Sequence, residues 1–382
     1  MEQLGDSKAS VVVYTHSLLE PSMTFIASHA EGLRNYRAVY AGAHRVFGLE
    51  LPPDRCVTVN DGGAIGCLKE CLFRQFGYAS AFASRLRMFS PTLVHAHFGL
   101  SGPAGLALAR ALGVPLVVTY HGQDATISDE EACKSWRGRE YLKGRRQVMK
   151  EADAIIAVSD FIRAKLLEKG YPEERVVTHR NGIDLSLFDA LVGNREPIAL
   201  FVGRLVEKKG CEYLLEALAK LRDKGFSARA VVVGDGPLRS SLENLARTLR
   251  VDAEFLGFLP LKEVRTWLSR ASVVVVPSVT AADGDSEGLP TVILEAQAAC
   301  APVLATRHAG NGEGVVENST AILVDERDSE GLAAGIRFFI SSPAAVASFG
   351  KAGRKFVGER FSLSSQVEGL ERIYDRVRGL GP

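Results

Sequence analysis

IALFVGRLVEKKGCEYLLEAL (198–218) runs from five apolar residues through a glycine into a charged turn and then into a helical pattern. The apolar run is too short for a buried helix and reads as a strand covered on both faces. Gly203 turns the chain, and a helix begins near Gly210. A strand, turn and helix in this order are the building block of a parallel sheet.

The same unit recurs on both sides. Ahead of it, SVVVYT (10–15), TLVHAHF (92–98), PLVVTYH (115–121) and AIIAVS (154–159) read as strands. Beyond it come ARAVVVG (228–234), AEFLGF (253–258), SVVVVPS (272–278), PVLAT (302–306) and TAILV (320–324). Apolar strands alternating with helices predict an α/β fold. The pattern restarts near 197, after FDALVGNREP (188–197), whose Gly, Asn and Pro suit a linker. A chain of 382 residues also exceeds one ordinary core. The expected organisation is a Rossmann-like domain over 1–190 and a second over 197–360. A terminal amphipathic helix is expected in 361–382, within FSLSSQVEGLERIYDRV (361–377). Ligands of such folds bind beyond the carboxyl ends of the strands, so the cleft between two such domains is the expected site.

Apolar residues make up 46% and charged residues 24%, with a net charge of +1, which describes a globular chain without a basic field for nucleic acid. The polar start MEQLGDSKAS is unlike a secretory signal, and no window of about 18 apolar residues occurs. A cytoplasmic protein is expected, at most peripheral on the inner membrane surface. Six cysteines (Cys56, Cys67, Cys71, Cys133, Cys211, Cys300) form no C-x-x-C pair and are expected as buried reduced thiols. Cys67 and Cys71 share a helix face, but no histidine stands at ligand spacing from them. KSWRGREYLKGRRQVMK (134–150) sets seven basic residues against Glu140, with Trp136 and Tyr141 among them. As a helix it suits an anionic membrane or a phosphorylated acceptor, against the plainer reading of a solvated face.

Three stretches carry chemistry. In GRLVEKKG (203–210), Arg204 and Lys209 stand at the mouth of a helix N-terminus, where backbone N–H groups already favour an anion. A guanidinium fork with an ammonium suits a diphosphate. In EGLPTVILE (287–295), Pro290 marks a helix start, so Glu287 lies in the loop before it and Glu295 inside it. Five helical residues rise about 7.5 Å, whereas a retaining glycosidase holds its two carboxyls about 5–5.5 Å apart. The two acids therefore lie along an elongated ligand, with phosphate at the helix start between them. VVTYHGQD (117–124) places His121 where a strand runs out beside a glycine. HAHFG (95–99) ends the preceding strand, and its histidines read as structural. DGD (283–285) could hold a divalent metal, but Arg204 and Lys209 already neutralise phosphate, and no metal is expected.

GRLVEKKG, VGDGPL and EGLPTVILEAQAACAPVLAT resemble the GT4 family of retaining glycosyltransferases with the GT-B fold, densely from 176 to 324. The resemblance implies two Rossmann-like domains facing each other across a deep cleft, a first domain that binds acceptor, and a last helix crossing back to it. It implies that Glu287 holds the donor sugar and Glu295 the ribose hydroxyls. Arg204 and Lys209 would bind the diphosphate, with Gly203 and the amides of Gly288, Leu289, Pro290 and Thr291 around them. His121 would line the sugar site. Attack on the same sugar face, with the leaving phosphate as base, is implied, and no metal cofactor. HSLLEPSMTFIASH (16–29) stands where many members carry a Gly-Gly loop, and looks like a subset that builds exopolysaccharide or lipopolysaccharide. HAGNGEGV (308–315) also departs from the family pattern, with only Gly310 and Glu313 matching.

The expected reaction is transfer of a sugar from a nucleotide donor, UDP- or GDP-sugar in preference to ADP-sugar, to a sugar, lipid-linked or polysaccharide acceptor. Three alternatives stay open: a small-molecule acceptor, a sugar phosphorylase or nucleotide-sugar hydrolase or epimerase on the same scaffold, and a nucleotide-sugar-binding subunit without catalysis.

Overall fold

The computed structural model describes residues 8–76, 80–188 and 195–380. Two compact units emerge: Met1–Gly182 with Leu363–Pro382, and Ile183–Ser362. The division falls between 182 and 183, ahead of the 188–197 stretch read as a linker, of which 189–194 lie outside the described residues.

The first unit is built on seven parallel strands: β1 (Ala9–Leu18), β2 (Tyr36–Arg45), β3 (Cys56–Thr58), β4 (Pro91–His97), β5 (Leu116–Tyr120), β6 (Ala154–Ala157) and β7 (Val176–Thr178). Their order is β3-β2-β1-β4-β5-β6-β7. Along β1 the side chains alternate: Val12 and Tyr14 join one buried cluster, Val11 and Val13 the other. This two-sided burial is what a parallel sheet with helices on both faces requires. Helix Leu363–Val377 belongs to this unit, with Val367, Leu370, Ile373 and Tyr374 in the cluster that holds Val11 and Val13.

Polar contacts fix that helix. Glu371, buried, accepts hydrogen bonds from the Arg34 and Asn35 amides, both at 2.7 Å, and from Asn35 Nδ2 at 2.9 Å. Tyr374 Oη bonds His95 Nδ1 at 2.7 Å, and His95 Nε2 lies 2.6 Å from Thr119 Oγ1.

The second unit has six parallel strands: β8 (Glu196–Val202), β9 (Arg229–Val233), β10 (Asp252–Gly257), β11 (Ala271–Val276), β12 (Val303–Thr306) and β13 (Ala321–Val324), in the order β10-β9-β8-β11-β12-β13. Strand order reverses between β8 and β11, and such a switch point opens a crevice at the strands' carboxyl ends. Two glycines close the backbone there. Gly210 has φ +60, and a Cβ on it would stand 2.0 Å from Pro277 O; at Gly234, with φ +130, it would stand 1.9 Å from Gly203 O.

Of the thirteen strands among the described residues, ten coincide with the apolar runs. The other three are β2, β3 and β7. Among the described residues no disulfide joins the cysteines, but only Cys211 and Cys300 are buried, while Cys67, Cys71 and Cys133 are exposed. Burial of all six was therefore the wrong expectation.

Removing the Glu371 carboxylate leaves three donors without their acceptor. Glu371→Ala is expected to destabilise the first unit by about 2–4 kcal/mol. A lower urea midpoint with an unchanged slope, followed by tryptophan fluorescence and circular dichroism, checks this.

Candidate functional site

The turn after β8 and the loop after β11 are stitched together by one tripeptide. Glu207, Lys208 and Lys209 form a single 3-10 turn. Glu207 Oε1 accepts the Ala282 amide at 3.0 Å, and Lys208 O accepts the Val279 amide at 2.8 Å. Lys208 Nζ pairs with Asp285 Oδ1 at 2.8 Å, and Lys209 Nζ with Glu287 Oε1 at 2.7 Å. The last pair is almost dry, with Lys209 and Glu287 side chains 18% and 8% exposed. Burial alone would raise the Glu287 pKa, but Lys209 and then Lys208 outweigh it and hold the carboxyl below its usual range.

The structure thus brings together residues assigned to different parts of a ligand. Lys209, expected on phosphate, and Glu287, expected on sugar, contact each other. An ammonium has three donors, so this pairing leaves Lys209 capacity for a further anion. The Arg204 side chain is exposed beside this turn. Gly203 lies close to the Lys209 stem, 3.5 Å from its Cδ by the position a Cβ would take.

Helix Thr291–Ala298 follows directly. Pro290 is its N-cap and not its first turn residue, and no side chain caps it. Its leading amides point outward from a helix end that favours negative charge. Gly288, Leu289 and Pro290 are buried; Leu289 packs in the core, so only its backbone is available to a ligand. Glu295 sits on the helix's second turn, part-buried, and its carboxyl is pushed up to about 7 by burial, against the opposing charges of Arg265 and Lys209. Lys209 acts electrostatically on both glutamates.

The acids of DGD are used within the fold. Asp285 is paired to Lys208, and Asp283 Oδ1 accepts the Asp285 amide at 2.8 Å.

His308 is a residue that sequence reasoning missed. It is buried, accepts the Glu287 amide on Nε2 at 3.2 Å, and bonds Glu326 Oε1 through Nδ1 at 2.6 Å. Glu326 in turn accepts the Thr280 amide at 2.9 Å. The loop that carries Glu287 is therefore set from below. His308 stands two residues past the end of β12 and two before Gly310, a strand-end position similar to that of His121.

His121 lies in the first unit, at the end of β5, among four other histidines. His29, His95, His97, His121 and His179 line one cavity of about 20 Å³, room for a single water. Burial lowers the pKa of all five, His29 and His97 to about 3, so they are neutral imidazoles. His97 Nδ1 stands 3.2 Å from His121 Nε2, and the rings of Phe25 and Phe98 pack against His121 at 5.1 and 4.6 Å. Phe98 takes φ +67, left-handed backbone for a bulky residue. Asp124 pins this loop: its buried carboxylate accepts the amides of Gly99 at 2.7 Å, Gly122 at 2.8 Å and His121 at 3.0 Å. Asp124 ends the VVTYHGQD stretch, and its position just past a strand was the available signal.

Among the described side chains, three of the seven basic residues of segment 134–150 are paired with acids. Arg145 pairs with Asp129 at 2.6 Å, Lys143 with Glu140 at 2.8 Å and Lys134 with Glu131; Tyr141 is buried.

Residues 1–182 match the family model described as a glycosyl transferase 4-like domain, and residues 185–356 that of glycosyl transferases group 1. The candidate colanic acid biosynthesis glycosyltransferase WcaL of Escherichia coli is 34% identical over 64% of this chain, a match spanning 60% of its own length. The uncharacterized glycosyltransferase MJ1178 of Methanocaldococcus jannaschii is 30% identical over 75% of each chain. Among solved structures, Anabaena HepE in complex with UDP and glucose superposes with a TM-score of 0.75 over 96% of this chain and 100% of its own, at 19% identity, and shares the fold. The chain belongs to the group 1 glycosyltransferase family, and its two parallel-sheet units are those of the GT-B fold.

Glu295 gives a pH signature. Its folded pKa of about 7 lies above the ordinary 4.5, so ionisation is penalised only in the folded protein. Stability is expected to fall as pH rises from about 4.5 through 7 and to level off above. Glu295→Gln should flatten that decline, read as melting temperatures of the ligand-free protein between pH 5 and pH 8.

Proposed function

We propose that this group 1 glycosyltransferase moves a sugar, with retention of configuration, from a nucleoside-diphosphate donor to a hydroxyl of a lipid-linked or polysaccharide intermediate of surface-glycan synthesis. The observation that carries the reading is the Lys209–Glu287 pair set beside the uncapped start of helix Thr291–Ala298 at the β8/β11 switch point. A diphosphate there would meet the Lys209 ammonium, the Arg204 guanidinium and the amides of Thr291 and its neighbours. Glu287 would accept hydrogen bonds from the donor sugar, and Glu295, one to two turns on, from the ribose. His121, held neutral by burial, is assigned the part of a hydrogen-bonding group and not of a charged acid.

In the proposed step the acceptor oxygen bonds to the anomeric carbon on the face the diphosphate leaves. The bond from that carbon to the phosphate oxygen breaks, and the acceptor proton passes to the departing phosphate. No metal is assigned to this step, because Arg204, Lys209 and the helix end supply the positive field. The name of WcaL and the fold shared with UDP-bound HepE favour a surface-polysaccharide acceptor and a UDP-sugar donor.

Arg204→Ala or Lys209→Ala is expected to lower transfer at least about 100-fold. Glu287→Gln should reduce kcat with nucleotide affinity nearly kept, whereas Glu295→Gln should weaken the nucleotide first. Product assays with mixed nucleotide sugars and lipid-linked acceptors, beside calorimetry with UDP, GDP and ADP, measure both. Full turnover in the Arg204 or Lys209 variant would sink the assignment, and product formation with water or phosphate alone would favour the hydrolase or phosphorylase reading.

A cytoplasmic-face location with peripheral membrane contact is part of the proposal. Among the described residues no single helix is long and apolar enough to cross a membrane. The contact is assigned to helix Gly63–Phe76, not to 134–150: Ile65, Leu68 and Leu72 are exposed on one helix face, and Phe47 is 88% exposed. Ile65→Ser with Leu68→Ser should abolish sedimentation with anionic liposomes. Equal pelleting of variant and wild type would reject the assignment.

A further inference from the structure

At the carboxyl edge of the first sheet, β1 and β2 each present a histidine to the helix that follows β3. His16 comes from the end of β1, His44 from the end of β2, and Glu70 from helix Gly63–Phe76. One ligand atom from each lies within 4.8 Å of the other two. His44 Nδ1 is 2.9 Å from Glu70 Oε1, and the His16 and His44 rings meet edge to face at 5.3 Å. All three residues are part-buried, so their donor atoms are shielded without being sealed off.

We propose that His16, His44 and Glu70 bind one divalent transition-metal ion of the Zn²⁺ class. Two imidazoles and a carboxylate are a donor set that suits zinc, whereas Mg²⁺ and Ca²⁺ prefer oxygen donors. Bonds of about 2.0–2.1 Å place ligand atoms of a tetrahedral ion about 3.3–3.5 Å apart. The His44–Glu70 pair, at 2.9 Å, stands near that spacing, and a ligand atom of His16 lies within 4.8 Å of both residues. Three protein ligands leave the fourth position to water.

The supporting contacts resemble those around metal sites. Asn60 Nδ2 donates to the second oxygen of Glu70 at 2.9 Å, while Asn60 Oδ1 accepts the Gly62 amide at 2.9 Å and ties the helix start to the end of β3. Ser17 Oγ faces the other nitrogen of His44 at 3.5 Å. On His44 and Glu70 a partner on the far atom orients the ligand and tunes its basicity. The ion would clamp β1, β2 and the helix at one point. The donor site proposed above lies in the other unit and does not use these residues.

The full chain, stripped with chelator and dialysed, is titrated with Zn²⁺ by calorimetry and with Co²⁺ by its visible absorption. One equivalent of Zn²⁺ and a Co²⁺ spectrum with nitrogen-ligand bands are expected. Glu70→Gln, which keeps the side-chain shape, and His16→Ala should each weaken Zn²⁺ at least tenfold, and Asn60→Ala about tenfold. Far-UV circular dichroism and UDP affinity should stay unchanged, which separates failure of this site from failure of the donor assignment. Absence of a stoichiometric Zn²⁺ site in the wild type, or wild-type affinity in Glu70→Gln and His16→Ala, overturns the proposal.

Discussion

The second unit depends on a nearly dry ion pair, Lys209 with Glu287. Desolvating two charges is costly, and the geometry must return that cost through contact and further hydrogen bonds. Here the same turn also holds Ala282 through Glu207 and Asp285 through Lys208, so a whole loop is ordered by three consecutive side chains. Two charges that would repel within their own loop, Asp285 and Glu287, are compensated from the neighbouring strand end. An anionic ligand entering this place finds cations that the fold has already positioned.

The first unit solves the opposite problem. Its polar centre is uncharged: five histidines packed around a space for one water, each held neutral by burial. The charge that organises them, Asp124, faces backbone amides and not the imidazoles. A neutral ring can donate or accept without carrying a charge that would itself need compensation. The contrast between a charged strand-end cluster in the second unit and a neutral histidine cluster in the first follows from which residues end the strands.

Legibility from sequence tracked how local the physics was. Strands of Val and Ile were readable because burial on both faces leaves a continuous apolar run. β2 was not, since YRAVYAGAHR fills its place with small and aromatic residues and charged ends, and β3 and β7 are only three residues long. GRLVEKKG and EGLPTVILE were readable as neighbouring turns because each leads from a strand end into a helix start. Their direct contact was not, nor was His308, whose bond to the Glu287 amide spans 21 residues. Cys67 and Cys71 drew the attention on their helix, whereas the structure turns Glu70, between them, toward His44. The needed histidines come from other strands, at spacings no local pattern encodes.

Helix Leu363–Val377 completes the core of a unit whose other residues precede Ile183. During synthesis, the second unit is a continuous stretch that can close as soon as it leaves the ribosome. The first must wait, with Val11, Val13 and the Glu371 partners Arg34 and Asn35 uncovered, while about half the chain is still being made. Contacts this distant in sequence slow folding through loop closure. The earlier-made half of the molecule is therefore the later to finish, and it is the half most in need of protection from aggregation while nascent.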